Sequence, residues 1–310
     1  MTNETYKPNA LRGVLCTLLG GCCWGFSGNC GQYLFHYHGV DPVWLTAVRM
    51  MSAGAIATAI VAVRNRQALK ACFTDKHDRI VMLLYGVFGL LLSQYTYLEA
   101  IEATNAGTAT VLQYVGPVLL MVLVCFTGRR LPKPYELVSI VLVVAGTFLL
   151  ATHGNVHTMV INPEGLFWGL FAACTLVLYT LLPKSIAPKY GAFMTTGLGT
   201  LIGGVTFFIL VRPWPLLIDL PVTGWLAVAG MVVLGTLVAY PLYLQGVNDI
   251  GPVKASMLAS IEPVSAAVIS VVWLGSEFAA IDLVGFACII ATVFLLAKPE
   301  TENSGQVMQS

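Results

Sequence analysis

Charge is scarce in this sequence. Asp, Glu, Lys and Arg make up 10% of its 310 residues, where a soluble domain carries about 25%. That shortage excludes an ordinary soluble enzyme and a disordered chain. Lys and Arg number 16 against 15 Asp and Glu, so there is no basic footprint for nucleic acid. No C-x-x-C pair occurs. Of the eight Cys only Cys72 sits in a charged segment, so the thiols read as small buried hydrophobes, not metal ligands or disulfides. No P-loop, dinucleotide fingerprint or nucleophile–base triad is present. That argues against an ATP-driven pump and leaves no cofactor to expect.

Apolar length is what the chain has instead. It is 57% hydrophobic with a mean hydropathy of +0.80. A membrane-spanning helix needs roughly 20 apolar residues, so ten would use about 200 positions and leave only short loops. The apolar run after the polar start MTNETYKPNALRG is too long for a cleavable signal and reads as a retained first helix. Charges and prolines punctuate the runs. They predict spans at about Gly13–Phe35, Pro42–Val63, Ile80–Ile101, Ala106–Thr127, Tyr135–Thr152, Glu164–Leu182, Gly191–Val211, Thr223–Val247, Pro252–Leu274 and Ile281–Ala297. The segment RNRQALKACFTDKHDR reads as a charged loop. The expected fold class is an all-α integral membrane protein.

With both termini on one side, every Lys and Arg except Arg49 and Arg212 falls on that side or at its edge. By the positive-inside rule both termini are cytoplasmic, and the chain is expected in the cell membrane. The chain also repeats itself. At one fixed offset Tyr97 lies over Tyr243, Pro117 over Pro263, Val118 over Val264, Leu137 over Leu283 and Phe148 over Phe294. Each half has five spans. Five is odd, so the second half enters from the opposite side. Inverted repeats of this kind place a substrate site at mid-membrane between them. The expected bounds are 11–152 for the first repeat, 164–297 for the second, and 298–310 for a polar cytoplasmic tail.

The second half resembles the EamA domain of the drug/metabolite transporter superfamily. The resemblance is carried by Tyr243, Ala255-Ser256, Pro263-Val264, Leu274-Gly275, Glu277 and Gly285, and in the first half by Trp24-Gly25 and Arg49. It spans about Gly13 to Ala297 and departs at FTGRRLPKP, where the family often has a Gly-Glu pair. It implies transport of small organic metabolites, often amino acids and frequently outward.

Several groups are candidates for carrying that function. The first helix holds Gly13, Gly20, Gly21, Gly25, Gly28 and Gly31, which let backbones pack closely in lipid or make a gating helix. Ser27, Asn29 and Gln32 in the same helix favour exposure to a pore, because lipid penalises them. Gln94, Tyr95, Tyr97, Gln113 and Tyr114 form one amide–aromatic group; Tyr179, Tyr240, Tyr243 and Gln245 form another. Tyr97 and Tyr243 alternatively anchor at the membrane edge. A cavity of Tyr, Gln and Asn suits a neutral or zwitterionic ligand. Arg49 either snorkels to the outer interface or faces inward to pair with a carboxylate. Glu262 lies about 15 Å into the ninth span, close to the midplane; its repeat equivalent is Gly116. It either braces the Pro263 helix break or exchanges a proton or contacts a substrate amine. His36, His38, His153 and His157 lie in two exterior loops that need not meet, so no metal site is expected. Glu99 and Glu102 read as a solvated rim, and Glu277 and Asp282 as helix caps. The resulting expectation is a secondary transporter working by alternating access on a small-molecule substrate, with protons as a candidate coupling ion and the lipid bilayer as its medium. The alternatives are a membrane-embedded enzyme acting on lipid, or a channel or scaffold subunit.

Overall fold

Proline and Asx residues set where the helices begin. In the computed structural model, which describes residues 9–155, 160–212, 219–250, 255 and 258–296, Asp41 caps α2 (Pro42–Arg64) by accepting from Val43 N at 2.7 Å. Asn105 caps α5 (Ala106–Gln113) through Thr108 N at 2.8 Å. Asn162 caps α8 (Pro163–Leu181) through Glu164 N at 3.1 Å. In two of these helices Pro occupies the first position, where its missing N–H costs no intrahelical bond. The remaining helices are α1 (Ala10–His38), α3 (Arg66–Thr74), α4 (Lys76–Ala103), α6 (Gly116–Thr127), α7 (Pro134–Thr152), α9 (Ala192–Val211), α10 (222–250), α11 (Ile261–Leu274) and α12 (Ala280–Leu296). Gly39, which ends α1, has φ 59°, a conformation that glycine adopts at no steric cost. Among the described residues there is no strand. Eight helical stretches are long and apolar enough to cross a membrane; α11 and α12 are shorter apolar helices. The protein is a multi-pass membrane protein of about ten spans.

Three sequence expectations need correction. The segment 64–79 is not a loop. It folds as α3 and the first turn of α4, because Asn65 and Asp75 each accept from a backbone N–H three residues on, at 3.2 and 2.9 Å. Its apolar face, Ala68, Leu69 and Cys72, seats on the core, so Cys72 is fully buried and not in a solvated loop. The fourth span runs Ala106–Thr127 as expected but carries a local break between α5 and α6 at Tyr114–Val115. The ninth is likewise broken at Ser260. Both breaks precede a proline, Pro117 or Pro263, which lacks an N–H and clashes with the preceding turn. The expected start of the ninth span at Pro252 lies outside the described residues, as do Lys254, Ser256, His157 and the tail 298–310.

The two halves carry matching irregularities. The repeat offset takes Tyr114 onto Ser260, so the breaks coincide. It also takes the π-helical turn Tyr85–Leu91 of α4 onto the one at Val233–Val238 of α10, to within two residues. Packing follows the same exchange. Helix α1 packs on α10 and α11, while α8 packs on α4 and α5; α2 pairs with α9, α7 with α12 and α5 with α11. The α7–α12 pair meets at glycine. A Cβ on Gly146 would lie 2.9 Å from the Gly285 carbonyl, and one on Gly285 3.0 Å from that of Gly146. Ends of the bundle are named below by content: the charged end holds Arg12, α3, Arg130 and Lys189; the far end holds Gln32, His153 and Asp282.

Candidate substrate site

The break before Pro263 creates the centre of the site. A regular helix would satisfy the Ala259 carbonyl with the N–H of residue 263, which proline lacks. Tyr114, at the matching break of the first half, supplies the replacement. Its hydroxyl lies 3.2 Å from Ala259 O and 3.1 Å from Glu262 Oε2. Glu262 occupies the first turn of α11, where the helix dipole favours a carboxylate. Tyr97 reaches in from α4 and shares a 2.7 Å hydrogen bond with Thr110 Oγ1 on α5. Its hydroxyl lies where a Cβ on Gly28 of α1 would come within 2.7 Å.

Arg49 enters this cluster from α2. It is 8% exposed, and its Nε is buried with no hydrogen-bond partner. The groups that surround its charge are Tyr240, Tyr97, Cys30 and Glu262. Among the described residues no ion pair joins Arg49 to Glu262. The π-helical turn of α10 brings Gly235 close: a Cβ there would lie 3.7 Å from an Arg49 terminal nitrogen and collide with Ser27 Oγ. Ser27 Oγ and Asn29 Oδ1, both on α1, are also buried without partners. Asn29 Nδ2 donates to Gly25 O and Ala266 O, each at 2.9 Å. Trp24 closes one side, with its ring 5.3 Å from that of Tyr240 and 5.4 Å from that of Tyr243. Tyr179 lies beside Tyr240 and stacks on Tyr85 at 6.0 Å.

Arg49, Glu262, Tyr114, Tyr240, Tyr179 and Asn29 thus come together, with Tyr97 and Cys30. Three candidates do not join them. Gln32 spends its whole amide at the far end. Gln94 and Gln113 are half-buried and form no hydrogen bond with a described residue. Cys30 and Thr110 escaped sequence reading, because a thiol or hydroxyl in an apolar run carries no local sign of its partner. Arg49 lies within the bundle and does not snorkel, since 8% exposure leaves its head no route to the interface.

Among the described residues the loop histidines form no shared metal cluster. His153 Nε2 is 2.8 Å from Asp282 Oδ1, while the His38 ring packs on Tyr33. At the charged end Asp75, His77 and Asp78 lie close enough to share an ion. There Asp78 already receives Lys189 Nζ at 2.9 Å and Tyr190 OH at 2.7 Å. That contact holds the Lys189 ammonium above its ordinary pKa. A cavity of about 610 Å³ opens at the far end between Thr104, Asn105, His153, Phe278 and Asp282. It is separate from Arg49.

Tyr114→Phe should lower stability by about 1–3 kcal/mol, because a buried carbonyl loses its donor. Gln113→Ala should stay within about 0.5 kcal/mol, as for a substitution that breaks no bond. Tyr114→Phe should also weaken substrate binding several-fold, whereas Gln113→Ala should leave it unchanged. Thermal unfolding in detergent separates the two variants; equal melting temperatures would mean that Tyr114 does not support the break.

Comparison with known proteins places the chain. The profile described as the EamA-like transporter family matches residues 11–152 and again 163–298. The inner membrane transporter YicL of Salmonella typhimurium is 32% identical over 286 residues, covering 92% of this chain and 95% of its own. The threonine/homoserine exporter RhtA of Escherichia coli is 26% identical over 219 residues, 70% of each chain. A solved crystal structure shares the fold with a TM-score of 0.60 at 16% identity, covering 92% of this chain and 95% of that one.

Proposed function

The chain belongs to the EamA-like transporter family, and from that premise we propose that it exports a small zwitterionic metabolite, of amino-acid type, by alternating access. The observation that carries this reading is the opposed pair of charges in the central cluster. Arg49 comes from the first half and Glu262 from the second, and no ion pair joins them. A ligand carrying both a carboxylate and an amine would satisfy each with its opposite. Arg suits the carboxylate because its planar fork binds two oxygens at once. The amine would meet Glu262 and the unpartnered Asn29 Oδ1. Tyrosine hydroxyls and the Trp24 face supply a mixed polar and apolar wall for the rest. The name of RhtA, an amino-acid exporter, agrees with this class.

The test is uptake and competition in proteoliposomes with α-amino acids and their decarboxylated and esterified analogues. Free zwitterions should compete, and analogues lacking either charge should compete at least about tenfold less well, as for loss of a charged hydrogen bond. Equal competition by amines and zwitterions would remove Arg49 from recognition.

The same reading puts the charged end in the cytoplasm and the chain in the cell membrane, with the tail at 298–310 on the cytoplasmic side. Support comes from the placement of Lys and Arg and from YicL being described as an inner membrane protein. A cysteine introduced at position 305 should resist an impermeant thiol reagent in intact cells and react after permeabilisation. Full reaction in intact cells would reverse the topology.

A further inference from the structure

The central cluster is closed at both ends, and one helix carries both closures. At the charged end the Asp249 carboxylate, on α10, is fully buried. It accepts from Arg12 Nε at 2.8 Å, Arg12 Nη2 at 2.7 Å, Asn9 N at 3.0 Å and Gln245 Nε2 at 2.9 Å. Arg12 and Asn9 belong to the start of α1. At the far end of the same helix, Gln32 is 1% exposed. Its Nε2 donates to Ser276 Oγ at 2.8 Å, and its Oε1 accepts from Ala106 N at 2.8 Å and Ser270 Oγ at 2.9 Å. Ser270 and Ser276 share a further bond at 2.5 Å. One amide therefore ties α1 to the start of α5 and the end of α11.

The space beside Tyr240, bounded by Ala53, Gly197, Thr200 and Thr236, measures about 10 Å³, roughly one water. A zwitterionic metabolite enters only if something moves. The glycines of α1 let both side chains and backbone of the other half approach closely; Ile261 Cγ2 seats 2.5 Å from where a Cβ on Gly21 would lie. A Cβ on Gly20 would lie 3.2 Å from Ala239 O, and one on Gly25 2.8 Å from Ala266 N. Small residues let helices approach this closely. The repeat counterpart of α1 is α8, which has no such closures. Among the described residues its one hydrogen bond to the first half is Thr175 Oγ1 to Thr96 Oγ1, at 3.3 Å.

We propose that α1 is the gating element: the Arg12–Asp249 clasp shuts the site at the charged end, the Gln32 latch shuts it at the far end, and each step of transport breaks one while keeping the other. The proposal rests on the transport reading of the central cluster, and it assigns Arg12, Asp249 and Gln32 as positioning residues that never touch the substrate. Cys30 gives a direct readout. It is 1% exposed and lies beside Arg49, so water reaches it only when a gate opens.

The experiment uses the full chain in proteoliposomes, with Cys30 as the one cysteine kept and a charged, impermeant thiosulfonate added from one side at a time. Asp249→Asn should raise Cys30 modification from the charged end by about tenfold or more, the shift expected when one closed state loses its specific bonds, and leave the far end unchanged. Gln32→Ala should do the reverse. Arg12 is half-exposed, so Arg12→Gln provides the charged-end result even if Asp249→Asn fails to fold. The swap Arg12→Asp with Asp249→Arg should return labelling to its starting level. Equal increases from both sides, or no change in variants that fold, would overturn the gate. Side-specific labelling that persists while no amino acid protects Cys30 would count against the zwitterion reading alone.

Discussion

Arg49→Gln should abolish transport and leave the fold as stable as before, or more so. A charged hydrogen bond to a ligand is worth about 1.5–3 kcal/mol, roughly 10- to 150-fold in affinity. The effect on the empty protein has the opposite sign. The Arg49 guanidinium is buried with its Nε unpartnered, and a buried charge without full compensation costs free energy. Glutamine keeps much of the volume and removes the charge. Binding titration in detergent together with thermal unfolding gives both readings. Loss of transport with a falling melting temperature would make Arg49 a structural brace, and normal affinity would exclude it from the site.

Glu262→Gln should flatten the pH dependence of transport, because an amide in place of the carboxyl neither takes up nor releases a proton. The groups facing this carboxyl are Tyr114 from α5, Tyr97 from α4, Arg49 from α2 and Tyr240 from α10. Glutamine still accepts from Tyr114, so the break at Pro263 keeps its support and the protein stays folded. Exchange of labelled for unlabelled substrate should persist, while any proton-driven component of uptake is lost. A variant with unchanged rates and an unchanged pH profile would leave Glu262 only its structural bond to Tyr114.

The spans were legible because their signals are local: apolar length, with proline and Asx residues at the starts. The breaks were half legible. Pro117 and Pro263 stood in the repeat, but apolar periodicity runs through both sides of each break and hides the interruption. The α3 helix was not legible, since Arg66, Lys70 and Lys76 mask the one-sided face of Ala68, Leu69 and Cys72 that makes it pack. For the candidate site, composition pointed to Arg49, Glu262, Tyr114 and Tyr240. It could not say that Gln32 would be consumed by a latch. That outcome depends on Ser270, 238 residues away along the chain. The clasp on Asp249 was hidden for the same reason. Arg12 read as a topology marker, and nothing near it in sequence names its partner.

Helix α1 leaves the ribosome long before its partners exist. Asp249 follows Arg12 by 237 residues. At about 5–20 residues per second that is a wait of roughly 10–50 s. During it the amide of Gln32 lacks Ser270 and Ser276, and the Asn29 side chain lacks the Ala266 carbonyl. Such a helix is poorly held by lipid alone, because each unsatisfied polar group is costly there. A chain that stops before α10 therefore leaves α1 without its clasp on Asp249 and without the serine half of its latch. Two fragments divided between α7 and α8 should each be degraded when made singly and persist when made together.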